Sequence, residues 1–318
     1  MRRTVQRERP IKSVDRSGRS RIRRAQLWRV LLLLACAWGA TGCGVKLAYN
    51  NLDRLLRWSI DDYLNLDAAQ EAYFRSQVDV FLYWHRTTEL PVYAQGLREL
   101  DVALADGATI EEMFFVREEV DAWWRRILEA SLPLSTQLMY SATDAQLDRF
   151  SAQFEKDTLK YIKPYEKLSV DARRERWARE LRENFENFTG RLGDEQRQLI
   201  DRRSARWVPD DRGWADYRLR YRDALLALVR QRDPYIEFSR AFRDLTLNRE
   251  RWYGDGYAAA QAANEDVYRD LSIEIINSLT ADQRRELSKT LLDVAKDFDE
   301  LTRDASPTAP PGACLVAC

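Results

Sequence analysis

Residues 109–127 read TIEEMFFVREEVDAWWRRI, and their spacing decides the fold class. Thr109 followed three positions later by Glu112 is a capping box, which satisfies two unpaired backbone donors at a helix start. Met113, Val116, Val120, Trp123 and Ile127 then recur at steps of three and four. That period lays an apolar stripe along one face of a helix. The same signature recurs outward from this segment. Asp67-x-x-Gln70, Thr143-x-x-Gln146 and Thr280-x-x-Gln283 are capping boxes, and Gly193-x-x-Gln196 is a weaker version. Each leads into apolar residues at helical spacing, such as Leu147, Phe150, Phe154 and Tyr161, or Leu287, Leu291, Val294, Phe298 and Leu301.

Nowhere does an alternating apolar and polar run point to a strand. Breaks are expected near Pro91, Gly107, Pro133, Lys163-Pro164, Gly190–Gly193, Val208–Gly213 and Gly254–Gly256, with Gly190 placed to stop one helix and Pro234 to kink or break another. Short connections between long helices favour antiparallel packing. The expectation is an all-α protein, an elongated antiparallel helical bundle of about 8–10 helices. Its body runs from 43 to 304, with a sub-boundary near 165–170 or 208–213, and residues 305–318 form a disordered tail with three prolines and Cys314 and Cys318.

Composition agrees. The 318 residues are 45% apolar and 32% charged with only 12 Gly and 9 Pro, enough to bury a core and too few breakers for a turn-rich fold. The net charge of zero hides an asymmetry. Residues 1–42 hold eleven Lys/Arg against Glu8 and Asp15, so of the chain's 51 bases and 51 acids the remainder keeps 40 and 49, a net charge near −9. A negative body argues against nucleic-acid binding, which needs bases to neutralise phosphates.

The amino terminus reads as an export signal. Val30–Ala40 is an apolar run of eleven residues, flanked by Arg21, Arg23, Arg24 and Arg29. A membrane-spanning helix needs about 20 apolar residues, so this run fits a signal peptide covering 1–42. The segment before Leu27 is long for a signal and suggests an over-extended start. The run ends in Ala40-Thr41-Gly42-Cys43, which resembles a lipobox, with Ala40 where Leu is usual. That resemblance implies cleavage between Gly42 and Cys43, acylation of Cys43 and, with Gly44 next, residence on the periplasmic face of the outer membrane.

No catalytic constellation stands out. His85 is the single histidine and lacks a partner serine turn, and Leu82 at three positions before it excludes a di-iron Glu-x-x-His motif; a surface or hydrogen-bonded role is expected. Gly254-x-Gly256-x-x-Ala259 loosely matches a dinucleotide loop but joins helical stretches, so it reads as a turn. Cys314 and Cys318 offer a disulfide in an oxidising compartment, with an incidental tail as the default. No metal set is expected. Asp61-Asp62 and Asp210-Asp211 read as solvated or capping pairs. Arginine and aromatic residues interleave at 173–177, 202–207 and 214–221, by default core aromatics flanked by ion pairs, and alternatively a groove for an extended peptide or glycan.

Tyr49-x-x-Leu52-Asp53-x-Leu55-Leu56, Asp61-Asp62-Tyr63-x-x-Leu66-Asp67-x-x-Gln70 and Phe185-Glu186-Asn187-Phe188-Thr189-Gly190-Arg191-Leu192 resemble a family of proteobacterial lipoproteins known only as a domain of unknown function, with Arg191 where that family usually has Pro. The resemblance covers roughly Leu47 to Leu301 and implies a lipoprotein but no activity. Leu279-Thr280-Ala281-Asp282-Gln283 is similar to the Leu-Thr-x-x-Gln motif of periplasmic stress chaperones. The expectation is a non-enzymatic, cofactor-free envelope protein, held to the membrane by its anchor, that binds an envelope protein or peptidoglycan. The alternatives are a chaperone-like helical protein and an enzyme using two carboxylates on glycan.

Overall fold

The computed structural model describes residues 43–305. Residues 1–42, expected to be a signal peptide ending at Gly42, and the tail with Cys314 and Cys318 lie outside the described residues. Every regular element is helical: α1 (Cys43–Tyr49), α2 (Leu52–Leu64), α3 (Ala68–Trp84), a π-turn (His85–Glu89), α4 (Leu90–Ala103), α5 (Ile110–Ser141), α6 (Asp144–Ile162), α7 (Val170–Thr189), α8 (Asp194–Ser204), α9 (Asp211–Gln231), α10 (Tyr235–Leu247), a 3-10 turn (Arg249–Trp252), α11 (Asp255–Asn277) and α12 (Ala281–Arg303). The all-α bundle is therefore the architecture among the described residues, with a few more α-helices than the spacing suggests. Residues 43–64 divide into α1 and α2, and the π-turn separates α3 from α4.

The capping boxes do more than start helices. Gln146 Nε2 donates to Gln70 Oε1 at 2.7 Å and Gln70 Nε2 returns a bond to Gln146 Oε1 at 3.2 Å. Gln196 and Gln283 form the same reciprocal pair at 3.0 and 2.9 Å. In each box the glutamine oxygen also accepts from its own cap N–H, at Asp67, Thr143, Gly193 and Thr280. The remaining amide protons go to backbone carbonyls: Gln70 to Ser141 and Gln146 to Asn65, Gln196 to Ser278 and Gln283 to Arg191. Both donors and both acceptor sites of all four amides are thus used, which is what burial of a polar side chain demands.

The two pairs correspond helix by helix. α2 packs on α6 and α3 on α5, as α7 packs on α12 and α8 on α11. α2 and α7 each end on a residue with positive φ, Asn65 and Gly190, the residue types that adopt this conformation most readily. The described helices therefore form two halves of similar arrangement, α2 to α6 and α7 to α12, with α10 additional in the second. The halves are interleaved. α4 of the first packs along α12 of the second, and α9 of the second packs on α6 of the first. α4 and α12 meet through Leu90, Tyr93 and Ala94 against Ala295, Phe298 and Leu301. Ala94 and Ala295 retain no accessible surface, so the two backbones close on one another.

Two expected breaks take a different form. Pro133 lies inside α5 and does not end it. Proline forfeits one helical hydrogen bond, but Leu132 and Leu138 on either side are buried in two different clusters, and that packing carries the helix through. Pro91 sits in the first turn of α4, where its missing N–H costs little, and the chain enters α4 from α3 through the π-turn without a loop.

Replacing Gln196 by Ala strands the buried Gln283 amide and removes the side-chain partner of the Gly193 N–H. Urea unfolding should show a loss of about 2–3 kcal/mol. The Gln196→Ala/Gln283→Ala double variant should cost clearly less than the sum of the single changes, the mark of a direct pair.

An arginine and aromatic cavity between the two halves

The second half's α9 does not close on α6 as α4 closes on α12. A cavity of about 400 Å³ stays open between them, within the usual range for ligand pockets. α2 presents Leu56, Ser59, Ile60 and Tyr63 to it, at steps of three, one and three on a single helical face. α9 presents Trp214, Tyr217, Arg218 and Tyr221 in the same rhythm. Phe150 and Phe154 of α6 stand between them, while Leu64, Phe74, Met139 and Arg249 complete the lining. Counting from the shared glutamines, Phe150 and Phe154 correspond to Leu287 and Leu291 in α12. The first half has aromatic rings where the second has leucines.

Arg218 is held in a set pose. Its Nε donates to Thr158 Oγ1 at 3.0 Å, and the fully buried Thr158 hydroxyl donates in turn to the Phe154 carbonyl at 2.7 Å. The guanidinium carbon lies 4.2 Å from the centre of the Phe154 ring and 5.0 Å from that of Trp214. Such stacking suits a planar, weakly hydrated cation. Arg249 is oriented by a bond from Nε to the Thr246 carbonyl at 3.1 Å. Burial pushes the Tyr221 hydroxyl above its ordinary pKa, with the Arg249 charge opposing, so Tyr221 is neutral. The Tyr63 hydroxyl donates a hydrogen bond to Asp157 Oδ2 at 2.7 Å, a residue outside the lining. Two guanidinium groups and no carboxylate line this cavity.

The fourteen lining residues run from Leu56 to Arg249. Most of that stretch matches a family model, at residues 62–258. The chain belongs to DUF6279, a family of unknown function. No curated protein and no solved structure matches it. The DUF6279 match takes in the cavity wall from Tyr63 to Arg249 and stops at the start of α11, short of the Thr280–Gln283 capping box.

The other residues singled out by the sequence scatter. Cys43 is the first residue of α1. Asp61 and Asp62 are exposed. Asp210 caps α9 by accepting from the Gly213 N–H at 2.8 Å, while Asp211 meets Arg173 at 3.1 Å; burial raises the Asp211 pKa, with the Arg173 charge opposing. Gly254 caps α11 as an ordinary turn. Of the three arginine-rich aromatic stretches, only 214–221 reaches the cavity. Trp177 and Trp207 from the other two stack at 5.2 Å in the second half's core.

His85 opens the π-turn, accepts or donates at Nδ1 with the Tyr49 hydroxyl at 2.9 Å, and is ringed by Phe81, Trp84 and Tyr93. Four residues on, Glu89 is buried and held by Arg126 Nε at 2.9 and 3.0 Å. A second cavity, of about 380 Å³, lies beside this turn, with Glu99 and Glu119 in its lining. Glu99 is exposed and takes a hydrogen bond from Gln95 Nε2 at 2.8 Å.

Burial, with the nearby Arg86 charge adding, lowers the His85 pKa to about 4. The unfolded chain therefore takes up the proton first as the pH falls. Stability is full above pH 6.5 and falls by roughly 2–3 kcal/mol as the pH drops toward 4. Unfolding free energies of wild type and His85→Gln between pH 7 and 5 should show the slope in the former and a flatter line in the latter.

Proposed function

We propose that this DUF6279 protein is a lipid-anchored, non-enzymatic binding protein of the periplasm, tethered to the outer membrane through Cys43. The cavity between α2, α6 and α9 is its ligand site. That cavity carries the binding reading, because its lining offers apolar walls and fixed cations but no carboxylate to act as acid or base. A concave pocket of this size favours a small molecule over a protein surface or a peptidoglycan strand.

The anchor rests on Ala40-Thr41-Gly42-Cys43 and on the charge and length of the segment before it. α1 begins at Cys43 itself, so an acyl group there would sit at the start of the folded body. α1 is tied down by Lys46 to Asp297 and Glu300 and by Tyr49 to His85. The same end of the chain carries Leu47, Leu55 and Trp58, all largely exposed, which suits a surface lying against lipid. Among the described residues no helix is long and apolar enough to cross a membrane. Two or more acyl chains suffice for stable attachment at about 0.8 kcal/mol per buried CH₂.

Mass spectrometry of the mature protein from membranes should find an acylated peptide beginning at Cys43. Cys43→Ala should move the protein to the soluble periplasmic fraction. An unmodified amino terminus, or membrane residence unchanged by the substitution, would overturn the anchor.

A further inference from the structure

We infer that the ligand of this cavity is a single hydrocarbon chain of a membrane lipid, admitted past α2 from the bilayer, an identity that rests on the binding reading above and on the lipid-facing end of the chain. α2 has two distinct faces. Leu56, Ile60 and Tyr63 turn toward the cavity. Leu55 and Trp58 turn away from it and are 50% and 69% exposed. Ser59 stands between the two faces. It lines the cavity and is itself exposed, so it marks the mouth. Leu55 lies one helical turn before Ser59 on the same side, and Trp58 is its immediate neighbour in sequence. The mouth thus opens beside the apolar patch that suits lipid.

The patch carries no excess of bases. α2 holds Arg54 and Arg57 against Asp53, Asp61 and Asp62, and the body from residue 43 is near −9. Such a surface meets a bilayer through apolar side chains at the interface, where tryptophan is favoured, and not through attraction to anionic head groups. The cavity is of the same character. Aliphatic and aromatic side chains supply most of its lining. Arg218 asks for no counter-ion from a ligand. Its Nε donates to Thr158, Phe154 and Trp214 lie against its plane, and it has a further interaction within the protein. Arg249, bonded to the Thr246 carbonyl, is partly exposed and stays in contact with water. A hydrocarbon chain can lie on this wall without stranding a charge. About 400 Å³ is near the lower end of the range for ligand pockets and fits one chain better than two. The lipid's head group stays at the interface, beside Ser59 and Trp58.

The chain from residue 43, carrying Cys43→Ala so that no acyl anchor takes part, is mixed with phosphatidylcholine vesicles whose acyl chains bear a photoactivatable diazirine. Irradiation, digestion and mass spectrometry should place crosslinks on cavity residues such as Phe150 and Tyr217, with one lipid per protein. Ser59→Trp at the mouth and Ile60→Trp inside it should each lower these crosslinks about tenfold while vesicle binding persists. The Leu55→Ser/Trp58→Ser double variant should weaken vesicle binding about tenfold or more and carry the cavity crosslinks down with it. Raised salt should change neither. Monomeric lauroyl lysophosphatidylcholine, which needs no membrane to deliver it, should bind this double variant and the parent chain alike in calorimetry. Crosslinks confined to Leu47, Leu55 and Trp58, cavity crosslinks unchanged in both plugged variants, or no binding of the lysolipid would overturn the inference. Native mass spectrometry of the purified parent and plugged chains separates this failure from that of the binding reading. A ligand other than a lipid, carried by the parent chain and lost from both plugged variants, overturns the lipid chain alone and leaves the cavity a binding site. No ligand of any kind in the parent chain, from cells or from vesicles, overturns both. The acylated peptide reports the anchor independently.

Discussion

Two glutamine amides exchanging hydrogen bonds, twice over, are the constraint around which this bundle is arranged. Each amide closes its own helix start, reaches across to the other, and takes up a carbonyl at the end of a neighbouring helix. Four helix ends are thereby fixed to one another at each pair. A buried amide has few ways to satisfy two donors and two acceptors at once, so the geometry admits one register. The apolar stripes supply the larger share of the stabilisation. The amide pairs determine which helices share it.

The similar arrangement of the two halves helps to locate the cavity. Both halves present the same framework, and each lends a helix to the other. Where α4 settles on α12, alanines meet and the backbones approach closely. Where α9 settles on α6 the approach is less close, Phe154 and Arg218 lie between the two helices, and with α2 they surround a pocket. A shared arrangement with one such contact closed and one open separates structural residues from candidate binding residues within a single chain. The shared glutamines belong to the first kind and Arg218 to the second.

Much of the fold is legible in the sequence because its signals are local. A cap and its third-position partner lie within one turn, and Gly190 ends α7 where its φ of 74° requires glycine. The pairing of the boxes is long-range, yet a hint of it is present. Thr109-x-x-Glu112 has a carboxylate where the four paired boxes have an amide, and a carboxylate has no proton to give, so it caps α5 and goes no further. The choice of Gln over Glu marks the boxes that pair. The cavity is legible only in part. The Arg and aromatic rhythm of 214–221 is visible, but Ser59, Phe74 and Arg249 join it through tertiary packing that no spacing announces. Pro133 was a fair stop signal overridden by leucines on both sides of it.

The interleaving also fixes an order of events as the chain is made. α4 spans residues 90–103, and the helix that covers it, α12, spans 281–303. For more than half of synthesis Leu90, Tyr93 and Ala94 lack their α12 partners Ala295, Phe298 and Leu301, although Tyr93 can already meet His85 and Trp123. Long-range contacts of this kind slow folding and leave apolar surface open in the interval. A chain halted before α12 emerges would present a bare strip of side chains to water, so completion of the carboxy-terminal helix acts as the final clasp on structure laid down near the beginning.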